Sequence, residues 1–182
     1  MMLNILKNIP EDLRKNTVVR ADSAFCCEDF IRICLLMNVK FSITAHGNMG
    51  WEEEVIKLQT FKAWNYSKEL RDEALEKKIE LPKVETSFYM YKPGWASNLK
   101  FPVVVKRTWV FDESTKAGLW KYYGVITNRG LYPLTTQNIL EFHAIRGNAE
   151  NFIREEKYGY DLNLDWWIDF LGSPTNQGGC VV

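Results

Sequence analysis

Two stretches of the chain combine residue types and spacings that could do chemistry. In H-A-I-R-G-N-A-E-N-F-I-R-E-E-K, residues His143, Arg146, Glu150, Arg154 and Lys157 follow one another at steps of three or four. On a helix they fall on one narrow stripe, beside an apolar stripe of Phe142, Ile145, Ala149, Phe152 and Ile153. A carboxylate interleaved with cations suits the wall of a metal-and-phosphate site. Taken alone it is better read as a solvated face laced with ion pairs between successive turns. The second stretch, V-V-R-A-D-S-A-F, places Asp22 at the end of a short β-branched run. In α/β folds the ends of such strands collect active groups. By itself, Asp22 reads more readily as a capping or turn residue.

Charge gives these stretches a context. The whole chain carries 23 basic and 23 acidic residues, so no net field points to a partner. Between Lys92 and Arg129, seven basic residues face Asp112 and Glu113, whereas between Glu141 and Phe170 seven acids face Arg146, Arg154 and Lys157. A basic segment next to an acidic one suits a protein that holds a polyanion with one part and metal with the other, although ordinary surface variation gives the same pattern. No apolar run reaches the ~18 residues of a membrane span, and the N-terminus lacks a signal-peptide pattern, so a soluble, cytoplasmic protein with no membrane partner is expected. Cys26, Cys27, Cys34 and Cys180 have no zinc spacing and are expected to be buried or free thiols.

The elements that must position these residues follow from periodicity. Thr17 to Ala21 is a strand, Glu28 to Met37 a helix ending at Asn38 as a left-handed cap, and Val39 to Ala45 a second strand. Strand, helix, strand at this spacing is a βαβ unit with parallel strands. His46, just beyond it, is a possible ligand or base but more often such a residue belongs to a loop. Trp51 to Lys83 is charged and helix-prone. Glu85 to Tyr91, Phe101 to Phe111 and Leu119 to Thr127 are aromatic and β-branched runs divided by turns, which predicts an antiparallel meander. The meander holds the basic excess together with Trp95, Trp109 and Trp120; its aromatics pack on the core or, among basic residues, stack on bases. Thr135 or Thr136 can cap the helix bearing the ionic stripe. The chain thus divides into 1–50, 51–131, 132–171 and a loose tail, 172–182.

On these residues the chain resembles the DDE-type transposases of bacterial insertion sequences. Many of them carry Y-x2-R-x3-E-x6-K on the helix of their last catalytic carboxylate; this chain has H-x2-R-x3-E-x6-K, with His143 in place of tyrosine. The run R-G-N-A-E-N-F-I-R-E-E-K is similar to their R-G-x-A-E-N-x-I-K-E-x-K, and V-V-R-A-D-S-A-F to their L-R-A-D-S-G-F, whose aspartate is the second of three catalytic acids. The resemblance covers about Leu6 to Leu164.

It implies an α/β, RNase H-like catalytic core, incomplete at the N-terminus, with a β-rich insertion between the second aspartate strand and the glutamate helix. Asp22 and Glu150 are implied as catalytic acids holding Mg²⁺ or Mn²⁺, two ions in a complete site, for cleavage and transfer of DNA strands. His143, Arg146 and Lys157 are implied as phosphate contacts, with Arg154, Lys106 and Arg107 as further ones, and Trp95 or Trp120 as the platform for an unstacked base. The implied partners are DNA at transposon ends, a second copy or a full-length transposase, near the nucleoid. Only twenty-one residues precede Asp22, and none supplies the first aspartate. A truncated form unable to cleave alone is therefore expected, or else a DNA-binding or transposase-inhibiting remnant.

Overall fold

The computed structural model describes residues 2–145 apart from 47, 48, 97 and 133. Two short helices, α1 (Met2–Lys7) and α2 (Glu11–Arg14), lead into strand β1 (Val18–Ala21). A 3-10 turn, Ser23–Phe25, connects it to α3 (Glu28–Leu36), whose first turn carries Glu28 and Asp29 at the favourable end of the helix dipole. Asn38 takes the left-handed conformation that ends this helix (φ 54°), and β2 (Lys40–Thr44) follows. β1 and β2 pair in parallel with Val18 opposite Lys40, as the βαβ spacing requires.

Helix α4 (Trp51–Ile56), the two-residue strand β3 (Lys62–Ala63) and helix α5 (Lys68–Glu76) fill the charged stretch. Ser67 caps α5 by accepting a hydrogen bond from the Leu70 amide. The aromatic runs form β4 (Val84–Tyr91), β5 (Phe101–Asp112) and β6 (Ala117–Thr127), an antiparallel meander. Helix α6 (Thr136–Ala144) starts in a reciprocal capping box between Thr135 and Asn138.

The meander shares a sheet with the βαβ unit. β6 pairs antiparallel with β2, giving the order β1-β2-β6-β5-β4-β3 in a mixed six-stranded sheet. Successive side chains on a strand face opposite sides, so each side builds its own core. On one side Phe41, Ile43, Val103, Val105 and Ile126 pack against Phe30, Ile31 and Cys34 of α3 and Trp51 and Val55 of α4. On the other, Val104 and Val125 pack against Ile139 and Leu140 of α6. Cys34 is fully buried, which pushes its thiol pKa up to about 12. Cys26 and Cys34 are free thiols, but Cys27 is disulfide-bonded, a departure from the reading of the cysteines as thiols. No helix among the described residues is long and apolar enough to cross a membrane.

Candidate catalytic and nucleic-acid-binding site

Parallel pairing makes β1 and β2 end on the same side of the sheet, and Asp22 stands immediately beyond β1. It is exposed, and its Oδ1 accepts a hydrogen bond from the Ser23 amide at 2.6 Å, so the carboxylate caps the 3-10 turn. The capping reading and the strand-end reading of this residue therefore both apply. The turn fixes where the carboxylate begins, and a hard oxygen donor so placed suits a divalent cation.

Two contacts dock α6 beside these strands. Arg20 of β1 donates from Nη1 to the Phe142 carbonyl at 3.0 Å. His143 lies between helix and sheet, with Nδ1 3.1 Å from Ser42 Oγ and Nε2 3.0 Å from Thr44 Oγ1, both on β2. Thr44 Oγ1 also lies 3.2 Å from the Tyr123 hydroxyl on β6. The histidine is 1% exposed. The ring, expected from sequence to contact phosphate, lies in the core, where it meets the buried Ser42 hydroxyl and the partly buried Thr44 hydroxyl. The β2 hydroxyls, and Tyr123 with them, are site residues that sequence reasoning missed. The signal was available in F-S-I-T, a strand in which both phases are buried and one is polar.

Beyond the ends of β1 and β2 the β5–β6 hairpin continues, flanked by β4 and β3 as far as Thr108 and alone only from Trp109 to its turn, since β2 pairs with β6 only from Val125 to Thr127. Lys106, opposite Tyr123, holds its ammonium 5.8 Å from that ring's centroid on the side of the sheet that carries α6. Arg107 points to the other side. Its Nε donates to Glu85 Oε2 at 2.7 Å and its Nη2 bonds the same oxygen, while its guanidinium stacks 3.6 Å from the Phe61 ring and 4.3 Å from that of Trp120. Arg107 is thus already engaged by a carboxylate and two rings.

Trp120 meets Trp109 edge to face at 5.2 Å. Gly118 makes room for this pair: a Cβ there would lie 2.0 Å from Trp109 Cζ2. Register separates the two tryptophans named from sequence. The hairpin carrying Trp120 projects past the sheet end where Asp22 stands. The connection carrying Trp95 joins β4 to β5 at the end where β1 and β2 begin, and its ring packs under the Arg32 guanidinium of α3 at 4.8 Å.

Asp22, Lys106 and Trp120 thus share one end of the sheet, with Lys106 on the face that α6 covers and Trp120 on the opposite face. Arg146, Glu150, Arg154 and Lys157 lie outside the described residues. Among those described, no three His, Cys, Asp or Glu side chains are grouped to hold a metal ion. The sequence model of the family described as transposase DDE domain, group 1, matches residues 1–165. No curated protein matches the chain.

Proposed function

The chain belongs to the transposase DDE domain group 1 family, and on that premise we propose that it acts in DNA transposition through metal-dependent cleavage and transfer of DNA strands in an RNase H-like core. One observation carries the reading: the docked end of α6 stands beside the strand that delivers Asp22, held by the Arg20 and His143 contacts. In sequence, Glu150 follows His143 by seven residues, the spacing that on a helix would return to the same stripe.

Asp22 and Glu150 furnish two carboxylates for Mg²⁺ or Mn²⁺. Bound as a pair, such ions stabilise the attacking and leaving oxygens of a phosphoryl transfer. Arg146 and Lys157 contact the phosphates on either side of the scissile bond, and Arg154 a more distant one. Lys106, on the hairpin next to this end of the sheet, attracts the incoming strand. Trp120 receives an unstacked base, and Arg107 holds Trp120 in place from behind. β1 pairs only with β2 among the described strands, so its outer edge has room for a strand bearing a third acid, supplied by a full-length transposase.

Duplex DNA with the sequence of a transposon end tests the proposal. In Mg²⁺ or Mn²⁺ the full chain is expected to bind this DNA in a salt-dependent manner without nicking it alone. Nicking by the chain alone that is lost on Asp22→Ala would contradict the incomplete site while upholding the role of the acid. Absence of binding at low salt would contradict the DNA role altogether.

A further inference from the structure

Arg20 and Arg129 converge on one aromatic ring from distant parts of the chain. Arg20 lies in β1 opposite Ser42, and Ser42 lies opposite Thr127 at the end of β6. Arg129, two residues past Thr127, keeps to the same side of the sheet, the side that α6 covers. The Arg20 guanidinium carbon is 4.9 Å and that of Arg129 4.4 Å from the centroid of the Phe142 ring. The backbone of Arg129 is fixed in turn. Its amide donates to Thr127 Oγ1 at 3.1 Å, and that buried hydroxyl donates to the Phe41 carbonyl at 2.5 Å.

Arg20 has an evident structural role. It donates to a carbonyl in the last turn of α6, where the partial negative charge of the helix favours a cation. Arg129 has no such acceptor. Its Nη1 is buried without a hydrogen-bond partner, and burial lowers its pKa. Among the described residues neither arginine forms an ion pair with a carboxylate. Buried donors are nearly always satisfied, and an unsatisfied one on a charged group is costlier than on a neutral one. Two cations about one ring also repel each other in a partly desolvated place unless an anion joins them.

We propose that Arg20 and Arg129, both within 5 Å of the Phe142 ring centroid, form an anion site for a phosphate group, with Arg129 Nη1 as its innermost donor. The planar fork of each guanidinium matches phosphate oxygens, and the flanking ring holds the forks in position. The source assigned is a backbone phosphate of DNA, and in this respect the inference rests on the transposition reading. Arg20 precedes Asp22 by two residues, about 7 Å along an extended strand, so the phosphate belongs to DNA lying behind the candidate catalytic acid.

Thermal unfolding of the full chain in inorganic phosphate, against sodium chloride of equal ionic strength, reads the site without reference to catalysis. Phosphate is expected to raise the midpoint of the wild type beyond the chloride control. It is expected to lose that effect in Arg129→Gln and to recover only part of it in Arg129→Lys, which keeps the charge but not the fork. Circular dichroism establishes that each variant is folded; if Arg129→Gln is not, Arg129→Lys alone decides. An equal rise in wild type and folded variants would overturn the site. DNA binding between roughly 50 and 200 mM salt then reads the source. The salt slope is expected to fall by about one phosphate contact in Arg129→Gln. A phosphate-specific rise with an unchanged DNA slope would uphold the anion site and overturn DNA as its source. Loss of metal binding on changing Asp22 is a separate measurement, so failure of the transposition reading is told apart from failure of this one.

Discussion

His143 shows how one residue couples the ionic stripe to the sheet. Both ring nitrogens lie at hydrogen-bonding distance from hydroxyls of β2. In a neutral ring one nitrogen donates and the other accepts, and the rotatable hydroxyls of Ser42 and Thr44 can match either tautomer. Removing the ring leaves a cavity and the buried Ser42 hydroxyl short of a partner, while Thr44 keeps the Tyr123 hydroxyl. His143→Ala is expected to cost about 2–4 kcal/mol, read as a lower urea midpoint with an unchanged slope. Lys106 and Arg107, adjacent in sequence, are expected to separate cleanly. Lys106 contacts only the Tyr123 ring among the interactions described, so Lys106→Ala should reduce the salt slope of DNA binding by about one and leave stability nearly unchanged. Arg107→Ala leaves Glu85, whose side chain is 18% exposed, with only the longer pair to Lys83 at 3.9 Å, and should destabilise the fold by about 1–2 kcal/mol. Equal stability of the two variants in urea would contradict this division.

Among the elements, the β5–β6 hairpin extends from the shared core into the region of the site, and its aromatic pair depends on a missing side chain. Gly118→Val would force the Trp109 ring off its edge-to-face contact with Trp120. Tryptophan emission is then expected to shift toward the red with little change in global stability, because Trp109 is already 44% exposed. An unchanged spectrum would contradict the packing. Helix α6 and the strands also show what sequence can and cannot reveal. The alternation and β-branching of Val39 to Ala45, and the turns dividing the aromatic runs, were enough to place β2 and the three long strands. Helical spacing likewise placed His143 on α6, while the rest of its expected stripe lies outside the described residues. It did not identify which stripe meets the sheet, because that depends on the hydroxyls of Ser42 and Thr44 on a strand about one hundred residues earlier. The choice between Trp95 and Trp120 was illegible for the same reason, since strand register sets which end of the sheet each reaches. The two-residue strand β3 is too short to leave a period.

At the scale of the whole molecule, one mixed sheet carries helices on both sides and gathers three segments at one end: the strand end with Asp22, the docked end of α6, and the projecting hairpin. Of the basic residues between Lys92 and Arg129, Lys106, Lys116 and Lys121 lie on the hairpin at this end, so a chain with no net charge can still attract DNA there, where screening limits each charge to neighbours within about 8–10 Å. The central claim is that Asp22 and Glu150 face a common metal. Titration of the full chain with Mn²⁺, followed by the loss of the free-ion electron paramagnetic resonance signal, tests it most directly. Asp22→Asn and Glu150→Gln are each expected to weaken Mn²⁺ binding by at least about tenfold, in line with the loss of one charged oxygen ligand, and the double variant to bind no worse than the weaker single one. Binding unchanged by either substitution, or losses that simply add in the double variant, would contradict a shared site.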